Sequence, residues 1–174
     1  MLRPTLILLT FFTILTGAFY PALLTAIGNG FFASEASGSL VLMDGRVVGS
    51  RLIAQRFTEP KYFWPRPSAA DYDAMASSGS NLGPTNPKLA KAINARTIAE
   101  GPADLITTSA SGLDPHVSPE AAMVQVRRVA RARGLPEERV RSLVEAHTEP
   151  RTFGLLGEPR VNVLLLNLAL DDVR

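Results

Sequence analysis

The apolar residues of this chain are concentrated at its N-terminal end. No charged residue occurs between Arg3 and Glu35, and residues 2–27 are apolar apart from Arg3, several threonines and one tyrosine. The 24 residues from Pro4 to Ile27 would extend roughly 36 Å as a helix, which is long enough to cross a bilayer with some tilt. The pattern predicts a membrane-spanning anchor over residues 1–30, followed by a second domain over residues 31–174.

A cleaved signal peptide is the alternative interpretation of the same segment. Ser34, Glu35 and Ala36 offer a cleavage site of the small-x-small type. The apolar run is longer than the 7–15 residues of a signal peptide, however, and its start is less basic than usual, which favours a retained anchor. Arg3 and the amino terminus lie on one side of the span, whereas the nearest basic residue on the other side is Arg46. The positive-inside rule therefore predicts a cytoplasmic N-terminus, with residues 28–174 outside.

Within this span, small and polar residues recur at helical spacing. Thr10, Thr13, Gly17 and Pro21 follow one another at intervals of three or four residues, which places them near one helix face. Small residues allow two helix backbones to approach closely in lipid, so this face is predicted to pack on a partner helix. The alternative is that threonines are simply tolerated in a span.

Beyond the span, the polar and apolar positions predict a single α+β domain with one core. Asp44-Gly45 between two β-prone runs predicts a hairpin over Leu40–Ser50. Residues 58–87 are rich in proline and lack periodicity, which is typical of ordered loops. The remaining predicted elements are a helix over Lys88–Glu100, a helix from an N-cap at Ser118 to Arg133 ended by Gly134, a helix from Pro136 to Ala146, and a buried strand over Val161–Leu170.

Composition excludes several classes of protein. Lys and Arg total 18 against 16 Asp and Glu, a net charge of +2 that argues against a nucleic-acid binder. With 20% charged and 46% hydrophobic residues the chain is not wholly disordered. There is no cysteine, which excludes disulfides and thiolate metal sites, and no phosphate-binding loop motif or HExxH motif is present.

Two groups of residues are candidates for chemistry. Ser111, Asp114 and His116 lie within six residues and suggest a hydrolase triad, but a triad must be assembled in space, and a local turn explains the same residues. His147 with Glu145 and Glu149 could bind a metal, although one histidine beside two acids is more typical of a solvated helix end. Four aspartates, Asp71, Asp73, Asp104 and Asp114, could attract cations locally.

Two further clusters suggest binding. Six arginines, Arg127, Arg128, Arg131, Arg133, Arg139 and Arg141, lie on the two helices that flank Gly134, an arrangement similar to a helix-turn-helix. Interleaved glutamates and a location outside the membrane argue against DNA, which leaves a solvated helix pair or docking on an acidic partner. Tyr62, Phe63, Trp64 and Tyr72 with Arg66 lie in the proline-rich segment, either as interface anchors or as side chains that attach this loop to its own core.

Long runs of the sequence resemble the KdpC family, the C subunit of the Kdp-type potassium-transporting P-type ATPase of bacteria. The runs are SGSNLGPTNP, TTSASGLDPH and GEPRVNVLLLNLALD, and the resemblance extends over essentially the whole chain. It implies a non-catalytic accessory subunit of a complex in the bacterial inner membrane, and the positive-inside rule would place its domain in the periplasm. The implied partners are a channel-like potassium-translocating subunit, a catalytic P-type subunit and a small membrane peptide.

The resemblance also implies a catalytic chaperone that raises the affinity of the catalytic subunit for ATP. Gln125, in the run AAMVQVRRVA, matches the glutamine proposed to contact the nucleotide in this family. A periplasmic domain meets no ATP, and this chain has no phosphate-binding loop, so we expect the effect on ATP affinity to be indirect, through contacts with states of the partner subunits. No cofactor of its own is expected from the motifs.

Overall fold

The computed structural model describes residues 2–96 and 101–173, and the chain divides into two compact units, one ending at Ser50 and the other beginning at Arg51. The sequence-based boundary after residue 30 was drawn at the end of the predicted anchor, whereas the boundary after Ser50 reflects packing within the chain. The sequence-based domain boundary stays a prediction.

The first unit begins with a continuous helix of 30 residues that is apolar and long enough to cross a membrane, with none of its residues buried. It consists of α1 (Leu2–Ile14), a π-helical stretch (Leu15–Phe19) and α2 (Tyr20–Phe31). The Tyr20 amide donates to the Leu15 carbonyl, five residues back, immediately before Pro21. Because Pro21 has no N–H, it cannot donate an α-helical hydrogen bond, and the backbone hydrogen-bond pattern of the helix changes next to it. A short helix, α3 (Ala33–Ala36), follows.

The predicted hairpin is confirmed. Strands β1 (Leu40–Met43) and β2 (Arg46–Ser50) pair antiparallel. Both residues of the connecting turn have positive φ, 50° at Asp44 and 74° at Gly45, the conformation of a type I′ turn, whose twist matches that of paired strands.

The described part of the second unit contains five α-helices, one 3₁₀ turn (Ala74–Ala76) and three short strands around one core, so the α+β fold class is confirmed. The sheet is antiparallel throughout, in the order β3-β5-β4. The elements are α4 (Pro87–Arg96), α5 (Ala103–Ile106), β3 (His116–Val117), α6 (Pro119–Arg133), α7 (Glu137–Ala146), β4 (Thr148–Glu149), β5 (Arg160–Asn162) and α8 (Val163–Asp172). The predicted continuation of α4 over residues 97–100 lies outside the described residues.

The ends of α6 follow from the local sequence, as predicted. The Ser118 hydroxyl accepts from the Ala121 amide at 3.2 Å, which satisfies one of the free N–H groups of the first turn. At the other end Gly134 adopts a left-handed conformation with φ 66°, where a side chain would be disfavoured. The second helix of the pair, α7, also begins and ends as predicted.

The predicted strand over Val161–Leu170 is wrong. Only Arg160–Asn162 forms a strand, and the rest of the apolar run is α8. The Asn162 side chain accepts from the Leu165 amide at 3.2 Å and so begins the helix. Because α8 is apolar on most of its circumference, with Val163, Leu164, Leu166 and Leu170 buried, its sequence lacks the polar stripe that usually indicates a helix.

Two of the runs quoted above, SGSNLGPTNP and TTSASGLDPH, contact each other through their backbones at two glycines. A Cβ atom added to Gly79 would lie 2.8 Å from the Ala110 carbonyl oxygen, and one added to Gly112 would lie 2.7 Å from the Ser78 oxygen. The Ser77 hydroxyl donates to the Ser111 carbonyl at 3.0 Å between the same segments. Glycine is therefore required at both positions, because any side chain would separate the two loops.

Candidate functional site

Two side-chain amides hold an extended loop that enters the core. Asn167 of α8 accepts from the Phe63 amide at 2.8 Å and donates to the Phe63 carbonyl at 3.0 Å. Gln125 of α6 accepts from the Trp64 amide at 2.8 Å and donates to the Trp64 carbonyl at 3.1 Å. Both side-chain amides are buried. Each supplies the pair of hydrogen bonds that a neighbouring strand would otherwise make to the N–H and C=O of that loop residue. We call these four residues the amide clamp.

Arg128 extends the clamp along the loop. One of its nitrogens donates to the carbonyls of Pro60 and Tyr62, at 2.6 Å and 2.9 Å, and the other donates to the Gln125 side-chain oxygen at 2.7 Å. Its guanidinium carbon lies 3.7 Å from the centroid of the Trp64 ring, a cation–π geometry. Burial lowers the pKa of Arg128 to about 10, so the side chain remains charged at neutral pH.

Arg133 holds the other end of the loop against the last turn of α8. It donates to the carbonyls of Lys61 and Leu170 and forms an ion pair with Asp171 at 2.6 Å. Tyr62 donates to the other oxygen of Asp171 at 3.1 Å. Burial raises the pKa of the Tyr62 hydroxyl, and its contact with Asp171 acts in the same direction.

The aromatic cluster is therefore largely an attachment of the loop to its own core, the second of the two sequence-based alternatives. Phe63 is completely buried, and Tyr72 donates from its hydroxyl to the Arg66 carbonyl at 2.9 Å. Trp64 is only partly buried, and it also lines the cleft described next.

A cleft of about 1050 Å³ lies between α6 and the loop that the clamp holds. Its apolar wall includes Phe57, Trp64, Tyr72, Leu105 and Val124 together with three prolines. Four arginines also line it: Arg96 of α4 and Arg127, Arg128 and Arg131 of α6. Among the described residues that line this α6 cleft, none is Asp or Glu. An apolar hollow with an excess of positive charge is suited to a ligand that is both apolar and anionic.

The candidate hydrolase residues do not form a triad. The Ser111 hydroxyl accepts from the Leu113 amide at 3.1 Å, and no hydrogen bond joins Ser111 to His116 within the described part of the chain. Asp114 accepts from the His116 backbone amide and pairs with Arg66 at 3.2 Å, whereas its oxygen is 3.7 Å from the His116 ring. Burial acts to raise the pKa of Asp114, but the contacts with His116 and Arg66 outweigh it and hold that pKa below 3.8.

Most of the other acidic candidates are engaged by neighbouring donors. Glu149 pairs with Arg160 at 3.0 Å, and a ring nitrogen of His147 lies 2.9 Å from the Leu143 carbonyl. Within the described residues, no group of three or more His, Cys, Asp or Glu side chains could hold a metal ion. The four aspartates proposed to attract cations are likewise occupied: Asp71 pairs with Arg56, Asp73 accepts from the Met75 amide, Asp104 from the Ser118 amide and Asp114 as described.

Comparison with known proteins identifies the family. A family model described as KdpC, K+-transporting ATPase, c chain, matches residues 2–172. The chain belongs to the KdpC family. Similar proteins, all named potassium-transporting ATPase KdpC subunit, include one from Sorangium cellulosum, 60% identical over 99% of this chain and 98% of the relative. Others come from Geobacter metallireducens, 52% identical over 98% and 96%, and Methylococcus capsulatus, 53% identical over 99% and 97%.

The KdpC resemblance singled out Gln125 as a nucleotide contact. In this structure Gln125 also donates to the Ala121 carbonyl at 3.2 Å, so both of its N–H groups and both acceptor positions of its oxygen have partners within the chain. Gln125 also lines the α6 cleft. A nucleotide that bound to the amide itself would have to displace Trp64 or Arg128 from it.

The residues predicted to form a packing face on the membrane helix are all exposed in the isolated KdpC chain. A Cβ atom added to Gly17 would meet nothing within 4 Å, which leaves room for another helix. The π-helical stretch lies between Thr13 and Pro21, so the α-helical spacing on which their shared face was predicted does not run through it. The packing face stays a prediction.

Sequence reasoning missed Asn167 and the part that Arg133 plays in holding the loop. Asn167 is an isolated polar residue in the apolar run of α8, and such a residue in a buried element needs hydrogen-bond partners, which was the available signal. Arg133 had been grouped with five other arginines, and nothing in the local pattern separates the two that point to the loop, Arg128 and Arg133, from those that face solvent.

Proposed function

We propose that this chain is the non-catalytic accessory subunit of an ATP-driven potassium uptake complex in the bacterial inner membrane. The observation that carries the proposal is membership of the KdpC family over residues 2–172, in a chain with one helix able to span a membrane. The described residues offer an assembled loop and a cleft rather than a catalytic constellation, which supports a binding role. Its partners would be the channel-like subunit, the catalytic P-type subunit and the small membrane peptide.

The second part of the proposal concerns location. With its N-terminus in the cytoplasm, the chain would display the second unit in the periplasm, beside the outer side of the potassium-translocating subunit. The single basic residue before the span supports this orientation through the positive-inside rule. There the subunit would assist assembly and stabilise the complex.

The third part concerns ATP. A periplasmic domain would raise the ATP affinity of the catalytic subunit only by binding one of its conformational states better than another. The complete internal pairing of Gln125 supports this indirect route, because the residue proposed to contact ATP already holds Trp64. A nucleotide bound directly to Gln125 is the alternative.

Two measurements test the proposal. Alkaline phosphatase and green fluorescent protein are each fused after residue 174; we expect activity from the phosphatase and no fluorescence from the other fusion. A strain that lacks only this chain should fail to assemble the complex and fail to grow on micromolar potassium, and full-length protein should restore both. A fluorescent, phosphatase-inactive fusion would contradict the location, and normal assembly without the chain would contradict the accessory role.

A further inference from the structure

We propose that the α6 cleft binds an acidic segment with an apolar side chain, contributed by another subunit of the transport complex. The inference rests on the proposed function, since it requires that the chain work beside other subunits. It identifies the surface of this chain that takes part in an interaction which family membership alone does not locate.

The charge of the cleft indicates the chemistry of its occupant. Arg127 is exposed, and its ion pair with Glu137 is long, at 4.0 Å. Arg131 has no ion pair or hydrogen bond from its side chain within the described part of the chain, and no carboxylate lines the cleft there. The whole chain has a net charge of only +2, so this accumulation is local. Guanidinium groups bind carboxylates in a paired geometry, and an acidic polypeptide provides them.

The apolar lining of the cleft indicates that its occupant carries an apolar side chain as well as a negative charge. Val124 is 50% exposed and lies on the same helix as the arginines, facing the cleft that Tyr72 and Leu105 also line. Apolar and aromatic surface of this kind is covered favourably by an apolar side chain. Tryptophan, tyrosine and arginine are also the residues most enriched among those that dominate the binding energy of protein interfaces.

One wall of the cleft, the loop at Trp64, is held in place before anything binds. Trp64 is held at both backbone polar groups by Gln125, and its ring is held by Arg128. A surface that is already ordered loses less entropy on binding, so a short segment suffices. A volume of about 1050 Å³ accommodates several side chains rather than one.

The experiment uses the full chain in its complex. The photo-crosslinking amino acid p-benzoylphenylalanine replaces Val124, the complex is isolated after irradiation, and the crosslinked peptides are identified by mass spectrometry. The same amino acid at Ser142, exposed on α7, is the matched control. We expect Val124 to crosslink to a segment of another subunit that contains Asp or Glu, and Ser142 to give a different product or none.

Charge reversals then test the chemistry. Arg127→Glu and Arg131→Glu should each lower the crosslinked product several-fold, because losing one exposed ion pair is worth up to about fivefold and the reversed charge adds repulsion, whereas Arg139→Glu, an equal change on α7 outside the cleft, should not. Reversing the crosslinked acid to Lys should restore the product in the Arg131→Glu variant.

Several outcomes would overturn the inference. They are a crosslink to lipid, to a second copy of this chain or to a segment without acids, equal loss in all three charge reversals, and no crosslink from Val124 in a complex that co-purifies intact. Failure of even the wild-type chain to co-purify with other subunits would instead refute the proposed function, and this inference with it.

Discussion

The side-chain amide of Asn167 forms hydrogen bonds with both backbone polar groups of Phe63, at 2.8 Å and 3.0 Å. Gln125 does the same for Trp64, the next residue. Consecutive residues of an extended chain direct their backbone groups to opposite sides, so α8 and α6 hold the loop from two sides as neighbouring strands would. The fixed position of the loop wall of the α6 cleft follows from this arrangement.

The amide clamp should contribute measurably to stability. Asn167→Ala leaves both polar groups of Phe63 buried without partners, and we expect a loss of about 2–4 kcal/mol in the free energy of unfolding. Trp64 is the only tryptophan of the chain, so its fluorescence during urea unfolding of the full chain in detergent measures the effect. Asn94→Ala, at an exposed position of α4, should change stability little; an equal effect of the two substitutions would contradict the assignment.

The clamp also distinguishes an indirect effect on ATP from a direct one. If Gln125 acts by holding Trp64, then Gln125→Ala and Asn167→Ala should raise the KM for ATP of the whole complex by similar factors, although Asn167 belongs to no proposed nucleotide site. The ATPase rate of complexes containing each variant, measured against ATP concentration, gives the comparison. A rise with Gln125→Ala alone, in a variant that remains folded, would favour direct contact.

Arg128 should be replaceable by neither alanine nor lysine. Arg128→Ala removes three hydrogen bonds and the cation above Trp64, so we expect a red-shifted tryptophan emission and a loss of about 2–3 kcal/mol in unfolding free energy. Lysine keeps the charge but cannot reproduce the planar set of donors, so Arg128→Lys should restore little. Arg139→Ala is the control, and full rescue by lysine would show that charge alone is required.

Stability should depend on pH through Asp114. Its pKa is held below 3.8 in the folded chain, so its contribution is present above the pKa of the unfolded state and is lost as pH falls through the folded value. Unfolding free energies of wild type and Asp114→Asn should therefore differ most near neutral pH, begin to converge near about pH 4, where the unfolded aspartate titrates, and coincide only below the folded pKa. Failure of the Asp114 curves to converge in acid would contradict the assignment.

The membrane helix should be sensitive to size at Gly17. Gly17→Leu fills the open space beside that position and should reduce co-purification with the partner subunits several-fold, because close helix approach in lipid requires small residues. Ala18→Leu makes a similar small-to-large change on the neighbouring flank and should reduce it less. Unchanged yield with Gly17→Leu would remove the predicted packing face.

Local signals explain which elements were correctly predicted. The Asp44-Gly45 turn, the Ser118 cap and the stop at Gly134 each depend on the conformational preference of one or two residues, so they can be read along the chain. The apolar run at residues 161–170 has no such periodic signal, and there the prediction of a strand was wrong. The N-terminal helix, apolar and long enough to cross a membrane, was recognisable from its length and absence of charge alone.

By itself, the sequence determined the apolar anchor, the α+β class, the caps and turns, and the family. Only the tertiary structure decided that Asn167 and Gln125 hold the loop at Phe63 and Trp64. It also decided that Arg128 and Arg133 bind this loop and that Ser111 and His116 form no hydrogen bond within the described residues. The physical reason is the separation along the chain. Caps and turns are decided by adjacent residues, whereas the two hydrogen-bonded pairs of the clamp are separated by 61 and by 104 residues. Those pairs are selected by the packing of the whole core.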